Sequence, residues 1–255
     1  MITIKSKKEI ELMKKAGEIV ALAHEKIREA VKPGITTKNL DMIAEECIKK
    51  MGAIPSFKGY EGLPGAVRYP ASICSSVNDE VVHGIPSERE LRDGDIVSID
   101  IGVCYEGYHG DAARTLPVGN ISQVASKLIQ ATTESFYEGI KNAVRGNRII
   151  DISTAVEKLV VKNGFSVVRD YVGHGIGANL HEKPQIPNYR TIERGPRMEA
   201  GMTLAIEPMV NEGRYEVKLL KNKWTVVTVD GSLSAHYENT ILITDKEPLI
   251  LTKLG

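Results

Sequence analysis

The chain has 255 residues, with 33 Lys+Arg against 33 Asp+Glu and a formal net charge of zero. That balance excludes a bulk nucleic-acid binder or a polybasic membrane-surface protein, both of which need a cationic excess. With 42% hydrophobic and 26% charged residues, the composition suits a globular domain with a substantial core. Cys47, Cys74 and Cys104 are odd in number and form no C-x-x-C pair, which speaks against a disulfide framework or a thiolate zinc site and for a reducing compartment. The N-terminal Met-Ile-Thr-Ile-Lys-Ser-Lys-Lys lacks the apolar core of a signal peptide. No run approaches the roughly 18–20 apolar residues that span a bilayer, so a cytoplasmic protein is expected.

In chain order, Ser6 followed by Glu9 is a capping-box signature, and Ile10, Met13, Val20 and Ile27 recur near helical spacing behind it. Leu40, Ile43, Ala44, Cys47, Ile48 and Met51 form a second helical stripe, stopped by Gly52. Ile96–Val103 alternates as a strand, and a Glu106-Gly107 turn leads into a partner strand, Tyr108 through Leu116. The helical stripe returns at Ile152, Ala155, Val156, Leu159 and Val160, stopped by Gly164, a constant offset of 112 residues (40 to 152, 52 to 164). Ala30-Val31-Lys32 is echoed by Ala143-Val144-Arg145 at an offset of 113. Internal duplication is the economical reading, the alternative being two amphipathic helices that merely look alike. Trp224–Val229 and Ala235–Thr244 flank an Asp230-Gly231 turn and read as another hairpin. No linker or low-complexity tract divides the chain. The expectation is one domain, 1–255, with half-repeats of about 1–120 and 121–255, each a pair of helices followed by strands: class α+β, helices on a largely antiparallel sheet.

Four acids sit in otherwise apolar strands. If Glu106-Gly107 is a two-residue turn, Asp111 pairs opposite Gly102 and Asp100 is its diagonal neighbour on the same face, close enough for both carboxylates to converge on one ion. Glu207 lies in Thr203–Val210, and Glu238 in Tyr237–Ile243. Like charges directed inward are costly unless protonated or neutralised by a cation, so the four suggest a buried carboxylate cluster. Three histidines stand out: His174 between glycines, where backbone freedom would allow close approach to a ligand, His181 before Glu182, and His83 before Gly84. His24, His109 and His236 read as surface or satisfied core residues. An oxygen-rich donor set with one imidazole and no thiolate suits Mn, Fe, Co or Zn, and four acids suit two ions better than one. The residues alone therefore reach dinuclear metal-dependent hydrolysis without choosing between peptide and phosphate.

Taken in order, Asp100 and Asp111, the Gly173–Gly177 run with His181-Glu182-x-Pro184, Ile206-Glu207-Pro208, and Ser234–Thr240 resemble the type I methionine aminopeptidases of the pita-bread fold, and the likeness covers essentially the whole chain. The resemblance implies two pseudo-symmetric halves with helices packed on a curved sheet. It implies five metal ligands, Asp100, Asp111, His174, Glu207 and Glu238, with Asp111 and Glu238 bridging two divalent ions. It further implies that His83 and His181 touch the scissile peptide and that Glu207 shuttles the proton. Tyr60, Cys74 and Trp224, with Phe57, Leu63 and Leu180, would build the pocket for the methionine side chain. Leu63 and Leu180 stand where relatives often carry aromatics, and the loop Gly62–Pro70 is longer than usual. The expected activity is removal of an initiator methionine, when the second residue is small, from nascent chains or peptides. A monomer that meets the ribosome and binds neither nucleic acid nor membrane is expected. Among rivals, a Pro-specific peptidase of the same fold normally carries a large preceding domain, whereas 99 residues precede Asp100. A type II enzyme carries an insertion between the last two ligands, here only 31 apart. A non-catalytic peptide- or ribosome-binding relative would have lost ligands, and none is lost. A phosphatase or nuclease would want a phosphate-cradling loop or a basic surplus.

Overall fold

The computed structural model describes residues 2–62 and 64–254. Helix α1 (Lys7–Ala30) begins at Ser6, whose hydroxyl accepts from the Glu9 N–H while the Glu9 carboxylate accepts from the Ser6 N–H at 2.7 Å, closing the capping box. Met13, Val20 and Ile27 all face the core. Helix α2 (Thr37–Lys50) stops at Met51, with Gly52 at φ +73° supplying the left-handed turn that a Cβ would oppose. After β1 (Ile54–Pro55), β2 (Cys74–Val77) and β3 (Glu80–Val82) comes the long hairpin β4 (Ile96–Tyr105) and β5 (Tyr108–Pro117). Its turn residues, Glu106 at φ 47° and Gly107 at φ 83°, are both left-handed, as a two-residue turn matched to strand twist requires.

The second half opens with α3 (Gln123–Ile140) and α4 (Ile149–Lys162). Helices α2 and α4 are each 14 residues long and lie 112 residues apart at both ends, and Gly164 repeats the left-handed stop at φ +83°. The offset of 113 does not carry over to the helix ends. Ala30 closes α1, whereas Ala143 lies past α3, in a turn where its N–H donates to the Ile140 carbonyl at 2.9 Å. The remaining strands are β6 (Ser166–Val167), β7 (Gly173–Gly175), β8 (Glu182–Ile186), β9 (Thr203–Ile206), β10 (Met209–Asn211), β11 (Val217–Leu219), β12 (Val226–Thr228), β13 (Ser234–His236), β14 (Asn239–Leu242) and β15 (Leu249–Ile250).

Every ladder among the described residues is antiparallel. Four groups form: β1-β4-β2 with β5 on β4, β13-β10-β6, β11-β12-β3, and β15-β14-β9-β7-β8. The expected hairpin across Asp230-Gly231 is not made. Strand β12 pairs with β11 and β3, while β13 pairs with β10. The expected strand 235–244 is also two strands, β13 and β14, separated at Tyr237-Glu238. Its turn chemistry is real, since Asp230 accepts from the Ser232 and Arg214 N–H groups, but those bonds fold the loop on itself rather than zip the flanks together.

Two apolar clusters flank the strands. One joins α1 and α2 to β4 through residues such as Ile19, Ile27, Leu40, Ile48, Ile99 and Ile101. The other joins α3 and α4 to β9, β10 and β14 through Leu128, Phe136, Ile152, Val156, Leu204 and Ile241. This is the α+β architecture of two pseudo-symmetric halves, with the sheets between the helical pairs. No helix among the described residues is long and apolar enough to cross a membrane.

Candidate active site

The β4–β5 register places Gly102 opposite Asp111 and Ala113 opposite Asp100, so the two acids are diagonal neighbours on one face, as the turn implied. On the other edge of β4, Cys74 pairs with Asp100. The second pair of acids arises differently. Ile206 pairs with Asn239 in the β9–β14 ladder, and Met209 with His236 in the β10–β13 ladder. The two ladders share one register, so Glu207 and Glu238 stand opposite each other in the gap between them. Pro208 has no N–H to continue the ladder there, and its carbonyl instead accepts from the Tyr237 N–H at 3.2 Å. The halves join at this point: the Glu238 N–H donates to the Ala113 carbonyl at 2.9 Å, and the Arg114 guanidinium donates to the Glu238 carbonyl and, at 2.6 Å, to Asn239 Oδ1.

All four acids and His174 line one cavity of about 150 Å³, together with Phe57, Tyr60, Tyr69, Cys74, His83, Leu180, His181 and Trp224. Every site residue inferred from the sequence is thus brought together except Leu63, which lies outside the described residues. Burial pushes the Asp100 carboxyl up to about 7, a rise partly offset by the neighbouring Asp111 carboxyl. Burial raises Asp111, Glu207 and Glu238 well above the usual carboxylate range, and Asp100 with one further acid of the cluster raises each of them more. Burial moves His174 the other way, to about 3, and His83 to about 4, so both imidazoles are neutral.

A divalent ion fits these residues. Ligand atoms of Asp111, His174 and Glu238 lie within 4.8 Å of one another, the one such group among the described residues. Asp100 Oδ1, Asp111 Oδ1 and Glu238 Oε1 are buried with no hydrogen-bond partner, a state that a cation resolves and an apolar wall does not. His174 Nδ1 lies 2.9 Å from the Gly175 carbonyl and must donate to it, leaving the Nε2 lone pair free, 3.6 Å from Glu207.

Several residues have roles the sequence did not suggest. His174 has glycine neighbours, but the close approach they permit is to other strands. A Cβ at Gly173 would run into the Ala205 carbonyl, and one at Gly175 into the Lys183 carbonyl. His236 is not a bystander: it is buried, with Nε2 3.7 Å from Glu207 Oε2. The two-residue strand period, which sets 236 and 238 on one face, was its only signal. Tyr69 is a wall residue that no local pattern marks. Its hydroxyl donates to the Gly84 carbonyl at 2.8 Å, and its ring meets Trp224 edge-on at 5.0 Å. Trp224 Nε1 in turn donates to the Val67 carbonyl at 2.7 Å, tying the long loop to the pocket. His83 takes φ 59°, unusual for a non-glycine residue, and a Cβ at the following Gly84 would meet the Ser75 backbone. His24 is a core histidine, its Nε2 donating to the Ala112 carbonyl at 2.8 Å while its buried Nδ1 has no partner among the described residues.

The model of metallopeptidase family M24 matches residues 11–245. Methionine aminopeptidase of Clostridium perfringens is 58% identical over 252 residues, covering 99% of each chain. Methionine aminopeptidase 1 of Bacillus subtilis is 56% identical over 254 residues, covering 100% of each. The crystal structure of methionine aminopeptidase from Thermotoga maritima, 47% identical, superposes with a TM-score of 0.95 over 100% of both chains. With the carboxylate cluster in place and relatives this similar along their whole length, the chain belongs to metallopeptidase family M24, among its methionine aminopeptidases.

Proposed function

We propose that the protein removes the N-terminal initiator methionine from polypeptides whose second residue is small, with divalent metal held by Asp100, Asp111, His174, Glu207 and Glu238. The observation that carries this reading is the union, in one cavity of about 150 Å³, of an apolar end and a carboxylate cluster, with no cationic side chain among the described residues that line it. That volume is well below the roughly 300–1,000 Å³ of pockets for drug-sized ligands and suits a single side chain. When bound, the metal supplies Lewis-acid polarisation of the scissile carbonyl and activation of water. Glu207, buried and with its carboxyl raised, is suited to take the proton from water and return it to the leaving amine. His83 and His181, neutral and at the cavity wall, offer ring N–H groups to the peptide unit. Phe57, Tyr60, Tyr69, Cys74, Leu180 and Trp224 enclose the first side chain, with sulfur and aromatic surface suited to a thioether.

The finer points belong to the same reading. Manganese, iron, cobalt or zinc in two bridged positions fits four acids and one imidazole. Both half-repeats, 1–120 and 121–255, serve one catalytic unit, since each contributes two of the acids. Nascent chains at the ribosome are the natural source of such substrates. The cytoplasm and a monomeric state fit the three unpaired cysteines and the balanced charge.

The deciding experiment is turnover of Met-Ala-Ser, Leu-Ala-Ser, Ala-Pro and Met-Arg-Ser peptides by chelated enzyme reconstituted with Mn, Fe or Co. Metal-dependent cleavage restricted to Met-Ala-Ser is expected. Equal rates on Met-Ala and Met-Arg would remove the small-residue gate, and faster cleavage of Ala-Pro would move the chain to the Pro-specific branch.

A further inference from the structure

His174 and His181 meet edge-on with ring centroids 4.3 Å apart, yet their Nδ1 atoms meet opposite partners. At His174 the partner is a backbone carbonyl, which only accepts, so Nδ1 carries the proton and Nε2 is a bare lone pair. At His181 the partner is the Tyr60 hydroxyl, 2.6 Å from Nδ1. A phenol can donate or accept, but this hydroxyl has no other partner among the described residues. Tyr60 is partly exposed, so accepting would turn that proton out to water, whereas donating places it on the more basic imidazole nitrogen. Tyr60 is also held where it can do this: its N–H donates to the Phe57 carbonyl at 2.9 Å, its carbonyl accepts from the Tyr69 N–H at 3.0 Å, and its ring lies edge-on to His181 at 5.3 Å.

We propose that Tyr60 is a positioning residue that fixes His181 in the Nε2–H tautomer, making it a hydrogen-bond donor to the peptide carbonyl rather than a further metal ligand beside His174. One edge-on pair of imidazoles thereby serves two opposed tasks. A carbonyl behind one ring makes it a lone-pair ligand, and a hydroxyl behind the other makes it a proton donor. No proton is consumed, since Tyr60 keeps its O–H and only orients the ring. The inference rests on the reading above in which His181 faces the scissile peptide.

Long-range 1H–15N correlation spectra of the zinc-loaded, diamagnetic protein test the tautomer without turnover, with H181A identifying the resonances. The parent should show His181 protonated at Nε2, and Y60F should move it toward the Nδ1–H or a mixed pattern. In kinetics on Met-Ala-Ser, Y60F should lower kcat about tenfold to a hundredfold, the usual loss when the hydrogen-bond partner that orients a histidine is removed. KM should stay within about threefold, and Y60F in an H181A background should add less than about twofold. An unchanged His181 spectrum in Y60F, or Y60F and H181A effects that multiply, overturns the proposal. If H181A itself turns over like the parent, the catalytic reading of His181 is what fails, and the spectra still decide the tautomer.

Discussion

The two pairs of acids reach one cavity by different constructions. Asp100 and Asp111 sit on ten consecutive paired residues of a hairpin closed by a two-residue turn. Glu207 and Glu238 sit opposite each other in a gap between two short ladders, where Pro208 offers no N–H and side chains help to hold the backbone. Asn188 Nδ2 donates to the Glu207 carbonyl at 3.0 Å, and Arg114 donates to the Glu238 carbonyl. An unbroken ladder fixes its side chains by their Cα positions, which suits a carboxylate that only holds a cation. A gap leaves a carboxylate less constrained, which suits one that also moves a proton. Amide substitution in each pair tests that division and carries the largest effect. With metal in excess, Glu207→Gln should still lose about 10²–10⁴-fold in kcat, the usual worth of a general base. Asp100→Asn should lose metal affinity and recover most of its rate as metal is raised. Recovery of both variants by excess metal would erase the distinction.

A smaller effect tests what the pairs share, a surplus of buried negative charge. Carboxyls raised above their unfolded values bind more protons in the folded state, so their contribution to stability falls as pH rises toward their folded values. The depressed histidines (His24, His83, His174 and His236) act in the opposite sense, but their contribution is complete once pH exceeds the unfolded value near 6.5. Between pH 7 and 8.5 the chelated protein should therefore lose stability. A proton held by the folded state alone costs about 1.4 kcal/mol per pH unit, or roughly 3–6 °C in Tm. Metal-loaded protein should show no such loss, and in the chelated state Asp100→Asn and Glu238→Gln should each flatten the slope. Thermal scans across the window decide; parallel slopes for chelated and loaded protein would mean that the cluster is not the source.

How much of this was legible in the sequence follows the same divide. The hairpin was readable because its evidence is local: Glu106-Gly107 sets the turn, the turn sets the register, and the register sets Asp100 diagonal to Asp111. The helix stops at Gly52 and Gly164 were readable for the same reason. The gap was not, because the partners of Glu207 and Glu238 are fixed by sheets whose strands come from distant parts of the chain. The apolar runs around Glu207 and Glu238 marked both acids as members of a buried cluster, but not as partners facing each other. The Asp230-Gly231 turn misled for the converse reason: its local chemistry is right, but long-range pairing takes the flanking strands to different sheets. Tyr69 escaped notice because only the folded loop carries it beneath Trp224. The glycines around His174 were noticed, yet their purpose lies in neighbouring strands that the local sequence does not contain.

The smallest predicted effect separates the two constructions from the pocket side. The hairpin also shapes the wall that receives the substrate's first side chain, because Gly102, opposite Asp111, leaves room for Phe57. A Cβ at Gly102 would stand 2.7 Å from Phe57 Cε1 and 3.0 Å from Ser56 Cβ, and the Ser56 N–H is tied to the Gly102 carbonyl at 2.9 Å, so the backbone has little freedom to yield. Gly102→Ala should therefore displace the Phe57 ring into the cavity. Overpacking of this kind typically costs about 1–3 kcal/mol. The functional consequence should fall on binding: a few-fold higher KM for Met-Ala-Ser, with kcat and metal content close to the parent's, since the nearest atoms the alanine methyl meets belong to Phe57 and Ser56. Phe57→Leu in the Gly102→Ala background should recover part of the lost affinity by withdrawing the clashing ring edge. A Gly102→Ala enzyme that loses metal or kcat while keeping its KM would show that the hairpin serves the metal site alone, and that the pocket wall is set elsewhere.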